Sequence, residues 1–297
     1  MQSGEPRTSL TGEPEPAAGS VRGGDALATP LARSVPQPPT FARSVAATLL
    51  AFVDQLGVFS LMTMRTGRAL FARPFEWRAI LYQMESVGVR SLSIACITSV
   101  FIGMVMAVQF AISLQKFGAM EYTGRVIGLS FSRELAPSLT AVIVGGRVGA
   151  GMAAEVGSMA VTEQVDAIRA LGADPVKKLV LPRVAALILV MPLLSIFALL
   201  FGFSGAMVVI SAQFNIPAGF FLRSAIDSVG LNDFLSGICK SPVFGAIIAL
   251  VGCHFGLTTT GGTEGVGRST TRTVVVVSIA ILIADFFLTK VFFLVFG

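Results

Sequence analysis

The sequence predicts an all-α integral membrane protein, with an N-terminal interfacial helix, five transmembrane helices and a short cytoplasmic helix between the second and third spans. Three observations lead there. Hydrophobic residues make up 54% of the 297-residue chain and charged residues only 13%, about half the charged share of a typical globular domain. Mean hydropathy is +0.79. Finally, the apolar residues fall in runs of bilayer-crossing length, with lysine and arginine gathered at their ends.

Residues 1–40 are rich in Pro, Gly, Ala and Ser without apolar periodicity, and read as a disordered tail. No apolar core of signal-peptide length follows the first methionine, and Glu5, Glu13, Glu15 and Asp25 argue against a transit peptide. Residues 42–73 read as an interfacial helix. Leu49, Leu50, Val53, Leu56, Val58 and Leu61 cluster on one side, Asp54 and Gln55 interrupt the run, and Arg65, Arg68 and Arg73 follow. A basic amphipathic helix of this kind lies along the headgroup boundary; a full span over 47–64, interrupted by Asp54, is the rival reading.

Spans are expected at about 92–114, 127–151, 184–211, 237–257 and 274–296. The second continues helically toward Met159. Read as one helix, it would be about 50 Å long at 1.5 Å per residue, longer than the roughly 30 Å hydrocarbon core, so its far end should protrude into water. With the N-terminus inside, the inner segments hold twelve Lys and Arg and the outer segments three. The positive-inside rule then places the N-terminus in the cytoplasm and the C-terminus outside.

The net charge of +5 comes from residues that flank apolar spans, not from a basic patch interleaved with aromatics, so nucleic acid is not expected as a partner. Cys96, Cys239 and Cys253 are odd in number and at no metal-ligand spacing, and the single His254 has no suitable neighbours; no metal is expected.

The stretch from Arg133 to Arg183 carries the unusual chemistry. Arg133 and Glu134 precede Ala136-Pro137, and Arg147 stands mid-span with no carboxylate three or four residues away. Ionisable residues at such depth usually face a bundle interior or a wet cavity. Small residues surround Arg147, and Gly145 with Gly149 forms a GxxxG that lets helix backbones meet closely, within the chain or against a second copy. Residues 162–172 read as a short helix capped by Thr162, with Glu163, Asp166 and Arg169 on one side, Val165 and Ile168 on another, and Gly172 just past its end. A capped, charged cytoplasmic helix is what docking to a soluble protein needs. Asp174-Pro175 starts the next helix, Asp as cap and Pro at the first helical position.

The ordered run Glu134-Leu135-Ala136-Pro137, Gly146-Arg147-Val148-Gly149-Ala150-Gly151, Ala154-Glu155-Val156-Gly157-Ser158-Met159, Glu163-Gln164-Val165-Asp166-Ala167 and Leu181-Pro182-Arg183, with the later Gly261-Gly262-Thr263-Glu264-Gly265, is similar to the MlaE/YrbE permeases. These are the membrane subunits of MCE-associated ABC lipid transporters. The resemblance covers about residues 45–297 and leaves out the tail. It implies a homodimeric permease of the bacterial inner membrane, with a separate cytoplasmic ABC ATPase and a periplasmic MCE-domain ring; in some systems a STAS-domain protein also binds the ATPase. Phospholipid moved between inner and outer membranes would be the substrate class. Residues 162–172 would be the coupling helix, with Glu163, Gln164, Asp166 and Arg169 facing the ATPase. A lipid path is expected at Arg133 and Glu134, with Phe101, Met104 and Met106 as adaptable apolar wall. Arg147 and Glu155 are expected as intramembrane polar groups.

A Walker A loop needs GxxxxGK[ST], and none of Lys116, Lys177, Lys178, Lys240 or Lys290 follows a glycine. No cofactor is therefore expected in this chain, and ATP would bind the partner. Two other classes compete. Gly202-Phe203-Ser204-Gly205 in one span and His254 in another would suit an intramembrane serine protease using Ser204 and His254 as nucleophile and base. A secondary transporter also fits the composition. The closely spaced aspartates of a phosphatidyl-alcohol transferase have no counterpart among Asp166, Asp174, Asp227, Asp233 and Asp285.

Overall fold

The computed structural model describes the backbone of residues 41–70 and 76–296, and the side chains of 53–70 and 76–294. The proposed disordered tail and Arg73 lie outside the described residues. The chain divides into two compact units, residues 1–49 and 50–297. Of the first, only 41–49 are described, as the opening turns of a helix.

Every described element is helical. Helix α1 spans Phe41–Leu70, α2 Trp77–Lys116, α3 Thr123–Ser130, α4 Thr140–Val161, α5 Gln164–Ala170, α6 Leu181–Phe214, α7 Ala218–Ser228, α8 Leu231–Leu257 and α9 Gly262–Phe296. A π-helical stretch, Phe131–Leu139, joins α3 to α4, and a π turn at Val176–Val180 leads into α6. Among the described residues, five helical segments are long and apolar enough to cross a membrane: Trp77–Lys116, Met120–Val161, Val176–Phe214, Leu231–Leu257 and Gly262–Leu294. Helix α1 is not among them. Its apolar residues Val53, Leu56, Val58 and Leu61 point away from the protein, while Met62 and Ala69 are buried.

Side-chain contacts fix the directions. Ser195 on α6 meets Ser241 on α8 at 2.9 Å, and Leu187 lies against Gly245, so these two helices are antiparallel. Helices α2, α6 and α9 run one way and α4 and α8 the other. The residues joining α4 to α6 lie at one end of the bundle with the α8–α9 turn, and α3, α7 and the start of α8 lie at the opposite end.

Helix α2 shows how the bundle closes. Ser91, Ala95, Ser99, Gly103, Ala107 and Ala111 recur at every fourth position, and all are buried. Small residues on one stripe let backbones approach where lipid tails offer no hydrophobic force between helices. A Cβ at Gly103 would stand 2.0 Å from the Gly202 carbonyl oxygen of α6. Larger residues of α2, such as Ile97, Phe101 and Val105, point outward.

Two helical stretches go beyond the spans expected from the sequence. Helix α2 begins at Trp77 rather than near 92, because a Lys178–Glu76 ion pair anchors its start and Ile80 packs on Ala185 and Ala186 of α6. The segment 212–236, expected as a loop, contains α7. Phe221 and Ala225, one turn apart, are buried, and they pack on Gly124 and Gly128 of α3.

Candidate functional site: a charged cavity at the α8 start

Pro137 sets up this site. It has no N–H to give to the carbonyl four residues back, and the helix around it widens into the π-helical stretch Phe131–Leu139. The Arg133 carbonyl lies in this stretch. It accepts from Lys240 Nζ of α8 at 3.3 Å. The same ammonium donates to Glu134 Oε1 at 2.8 Å, to Thr289 Oγ1 at 2.7 Å and, more loosely, to Asp285 Oδ1 at 3.4 Å. Lys240 is 1% exposed. One buried cation thus ties the broken helix, α8 and α9 together.

Arg133 forms its own pair with Asp233, its Nε donating to Oδ1 at 2.6 Å. Asp233 also accepts from the Gly230 backbone N–H at 2.9 Å, capping α8. Gly237, one turn on, brings α8 against the π-helical stretch; a Cβ there would lie 2.1 Å from the Ser132 carbonyl oxygen. Arg133, Glu134, Asp233 and Lys240 line a cavity of about 350 Å³. A second cavity, about 700 Å³, shares Glu134 and Thr289 with it and is walled by Leu282, Phe286 and Phe293.

The structure therefore brings Arg133 and Glu134 together at a cavity. It does not place Phe101, Met104 or Met106 on that wall. Phe101 is 61% exposed on the outer face of α2, Met104 packs on the cluster around Phe131 and Ile210, and Met106 is half-buried on α2.

At the opposite end, α5 carries the other predicted residues. Gln164, Asp166 and Arg169 are exposed, with Arg169 paired to Asp166 at 2.7 Å. Val165 is buried against the bundle. Gly172 ends the helix as expected, at φ +76°, donating to the Arg169 carbonyl, while Ala173 donates to that of Ile168; this is a Schellman closure. Thr162 does not start α5. Its hydroxyl donates back to the Ser158 carbonyl at 2.8 Å and finishes α4. Glu163 makes the joint instead, in the left-handed conformation at φ 59°. Asp174 Oδ1 accepts from Val176 N–H at 2.9 Å, the cap expected before Pro175.

Arg147 reaches the Arg90 carbonyl at 2.6 Å, linking α4 to α2. Glu155 pairs with Arg183 Nη2 at 2.8 Å, and Arg183 is 4% exposed. Gly145 and Gly149 pack on Ile248 of α8 and on Thr273, Val277 and Ile281 of α9, so this GxxxG serves contacts within the chain. The serine–histidine dyad does not assemble. Ser204 lies on one side of the Ser195–Ser241 contact and His254 far along the other, which puts them about 33 Å apart along the bundle at 1.5 Å per residue. His254 packs edge-on against Phe59 and Phe255, and the Ser204 hydroxyl donates to the Phe201 carbonyl.

Sequence reasoning passed over Lys240, Asp285 and Thr289. The available signal was one ionisable residue in each of three different spans.

Comparison with known proteins converges on one family. The family model described as "Permease MlaE" matches residues 80–291. A "Probable ABC transporter permease protein" of Synechocystis is 47% identical over 216 residues, covering 73% of this chain and 82% of that protein. "Protein TRIGALACTOSYLDIACYLGLYCEROL 1, chloroplastic" of Arabidopsis thaliana is 42% identical over 218 residues, 73% of this chain and 62% of its own length. A "Probable ABC transporter permease protein" of Rickettsia conorii is 37% identical over 252 residues, 85% of this chain and 97% of that protein. The chain belongs to the MlaE permease family and is a multi-pass membrane subunit of an ABC transporter.

Proposed function

We propose that this subunit moves phospholipids between the inner and outer membranes of a bacterial envelope, driven by a separate ATPase that docks on α5. The observation that carries the lipid reading is the larger of the two cavities that share Glu134, which sets Glu134, Asp285 and Lys290 beside Leu282, Phe286 and Phe293. An amphiphile needs both surfaces at once. The name of the chloroplast relative, that of a glycolipid, supports a lipid substrate class.

In this reading the α5 end and the N-terminus are cytoplasmic and the C-terminus periplasmic, as the charge bias supports. Helix α1 lies in the headgroup region with its outward apolar side chains in lipid. The chain works as a homodimer, with a periplasmic MCE-domain protein beyond the cavity and, in some systems, a STAS-domain protein on the ATPase. ATP binds the partner and not this chain. The exposed Glu163, Gln164, Asp166 and Arg169 form the docking face, held off the bundle by the Gly172 turn.

The test is reconstitution of the chain with its ATPase and transfer of labelled phospholipid upon ATP addition. The double reversal Glu163→Lys with Asp166→Lys should abolish ATPase binding or its coupling to transfer. Its cost in stability should stay within about 0.5 kcal/mol, as at other surface sites. Unchanged transport in the double variant removes the coupling assignment. A wild-type complex that hydrolyses ATP without moving lipid removes the lipid reading, and transport without any ATPase favours a secondary transporter.

A further inference from the structure

The charges around Lys240 do not balance. Its single ammonium meets two carboxylates, Glu134 and Asp285. Arg133 and Asp233 are neutral as a pair, so neither is free to offset the second carboxylate. Lys290 lines the larger cavity with both carboxylates but makes no ion pair with either among the described residues, so within contact distance one negative charge is left over. It is also accessible: Glu134 is 38% exposed and Asp285 18%, and Glu134 lines both cavities. A cation farther along α9, Lys290, stands on the wall of the larger cavity, its ammonium lying over the Phe286 ring. The larger cavity therefore presents two carboxylates, an apolar wall and a basic group beside that wall.

We infer that this cavity selects the amine of a zwitterionic phospholipid headgroup. The lipid ammonium donates to Glu134 and Asp285; Lys290 faces the phosphate, and Phe286, Phe293 and Leu282 take the acyl chains. An anionic lipid without an amine offers Lys290 the same phosphate but brings no cationic donor to the carboxylates. The inference rests on the lipid-transport reading and adds the headgroup class to it. Lys240 is the positioning residue, because its ammonium holds both carboxylates.

The test uses the full chain in proteoliposomes of equimolar phosphatidylethanolamine and phosphatidylglycerol. A photoreactive benzoylphenylalanine replaces Phe293, which lines both cavities, and captured lipid is identified by mass spectrometry. Phosphatidylethanolamine should exceed phosphatidylglycerol among the adducts by about tenfold, the scale of one charge-assisted hydrogen bond. Glu134→Gln and Asp285→Asn, each nearly isosteric, should each bring the ratio toward that of the bilayer. Two separate variants guard against misfolding of one. Equal capture of the two lipids by the wild-type cavity, or a preference that survives both variants, overturns the inference and leaves the transport reading standing. Absence of any lipid adduct overturns both.

Discussion

Replacing Lys240 by methionine keeps most of the side-chain volume and removes the charge. In the wild type the ammonium satisfies two carboxylates, a hydroxyl and the Arg133 carbonyl. Removing one partner of a buried ion pair costs about 3–5 kcal/mol, because the remaining charge stays without compensation. Here the carboxylates are 38% and 18% exposed, so water reaches them in part, and the lower end, about 3 kcal/mol, is expected. At about 2–4 °C per kcal/mol for 150–250 ordered residues, the midpoint of thermal unfolding in detergent should fall by roughly 6–12 °C. The companion variant Lys240→Met, Glu134→Gln, Asp285→Asn removes all three charges together. It should recover to within about 1 kcal/mol of wild type, since neutral groups of similar size replace a charged cluster at little net cost. A single variant that melts within about 2 °C of wild type would refute the argument. So would a triple variant as unstable as the single one, which would mean that the methionine disturbs packing rather than charge.

Gly103→Ala should destabilise the bundle by about 1–3 kcal/mol, the usual range for overpacking. The added Cβ would meet the Gly202 backbone at 2.0 Å, whereas Gly151→Ala, with nothing within 4 Å, should read as wild type in the same melt. Single cysteines at Lys177 and Asn215, in a chain lacking Cys96, Cys239 and Cys253, should react with impermeant reagents from opposite sides of the membrane. Labelling from one side would end the five-span arrangement.

The spans were legible because a bilayer imposes length and polarity on consecutive residues, and both can be read locally. The α5 region was legible in part. Gly172 closes the helix where a left-handed residue was expected, but the opening was assigned to Thr162. A threonine suits the end of one helix as well as the start of the next, and here its hydroxyl turns back to Ser158. That leaves the left-handed joint to Glu163 at φ 59°, a conformation that costs about 1–2 kcal/mol for a residue with a Cβ. No propensity rule selects glutamate there.

The cavity shows the other limit. Arg133 and Glu134 drew notice because they stand together beside a proline, but their partners are far away in sequence: Asp233 and Lys240 on α8, Asp285 and Thr289 on α9. Lysine at 240 could be read as a span-end charge, and aspartate at 285 as one isolated acid. Each is unremarkable within its own span. The physical rule that an ionisable residue in lipid must find a partner becomes informative only across spans. Applied across Glu134, Lys240 and Asp285, it demands that the three helices bearing them meet at one depth, and it leaves two carboxylates sharing one ammonium. That sharing depends on the pairing of Arg133 with Asp233, which the sequence leaves open because Arg133 stands next to Glu134 and could have answered it instead. The headgroup chemistry inferred for the cavity therefore follows from which carboxylate each cation takes, a choice made by the register of α8 against the π-helical turn at Pro137.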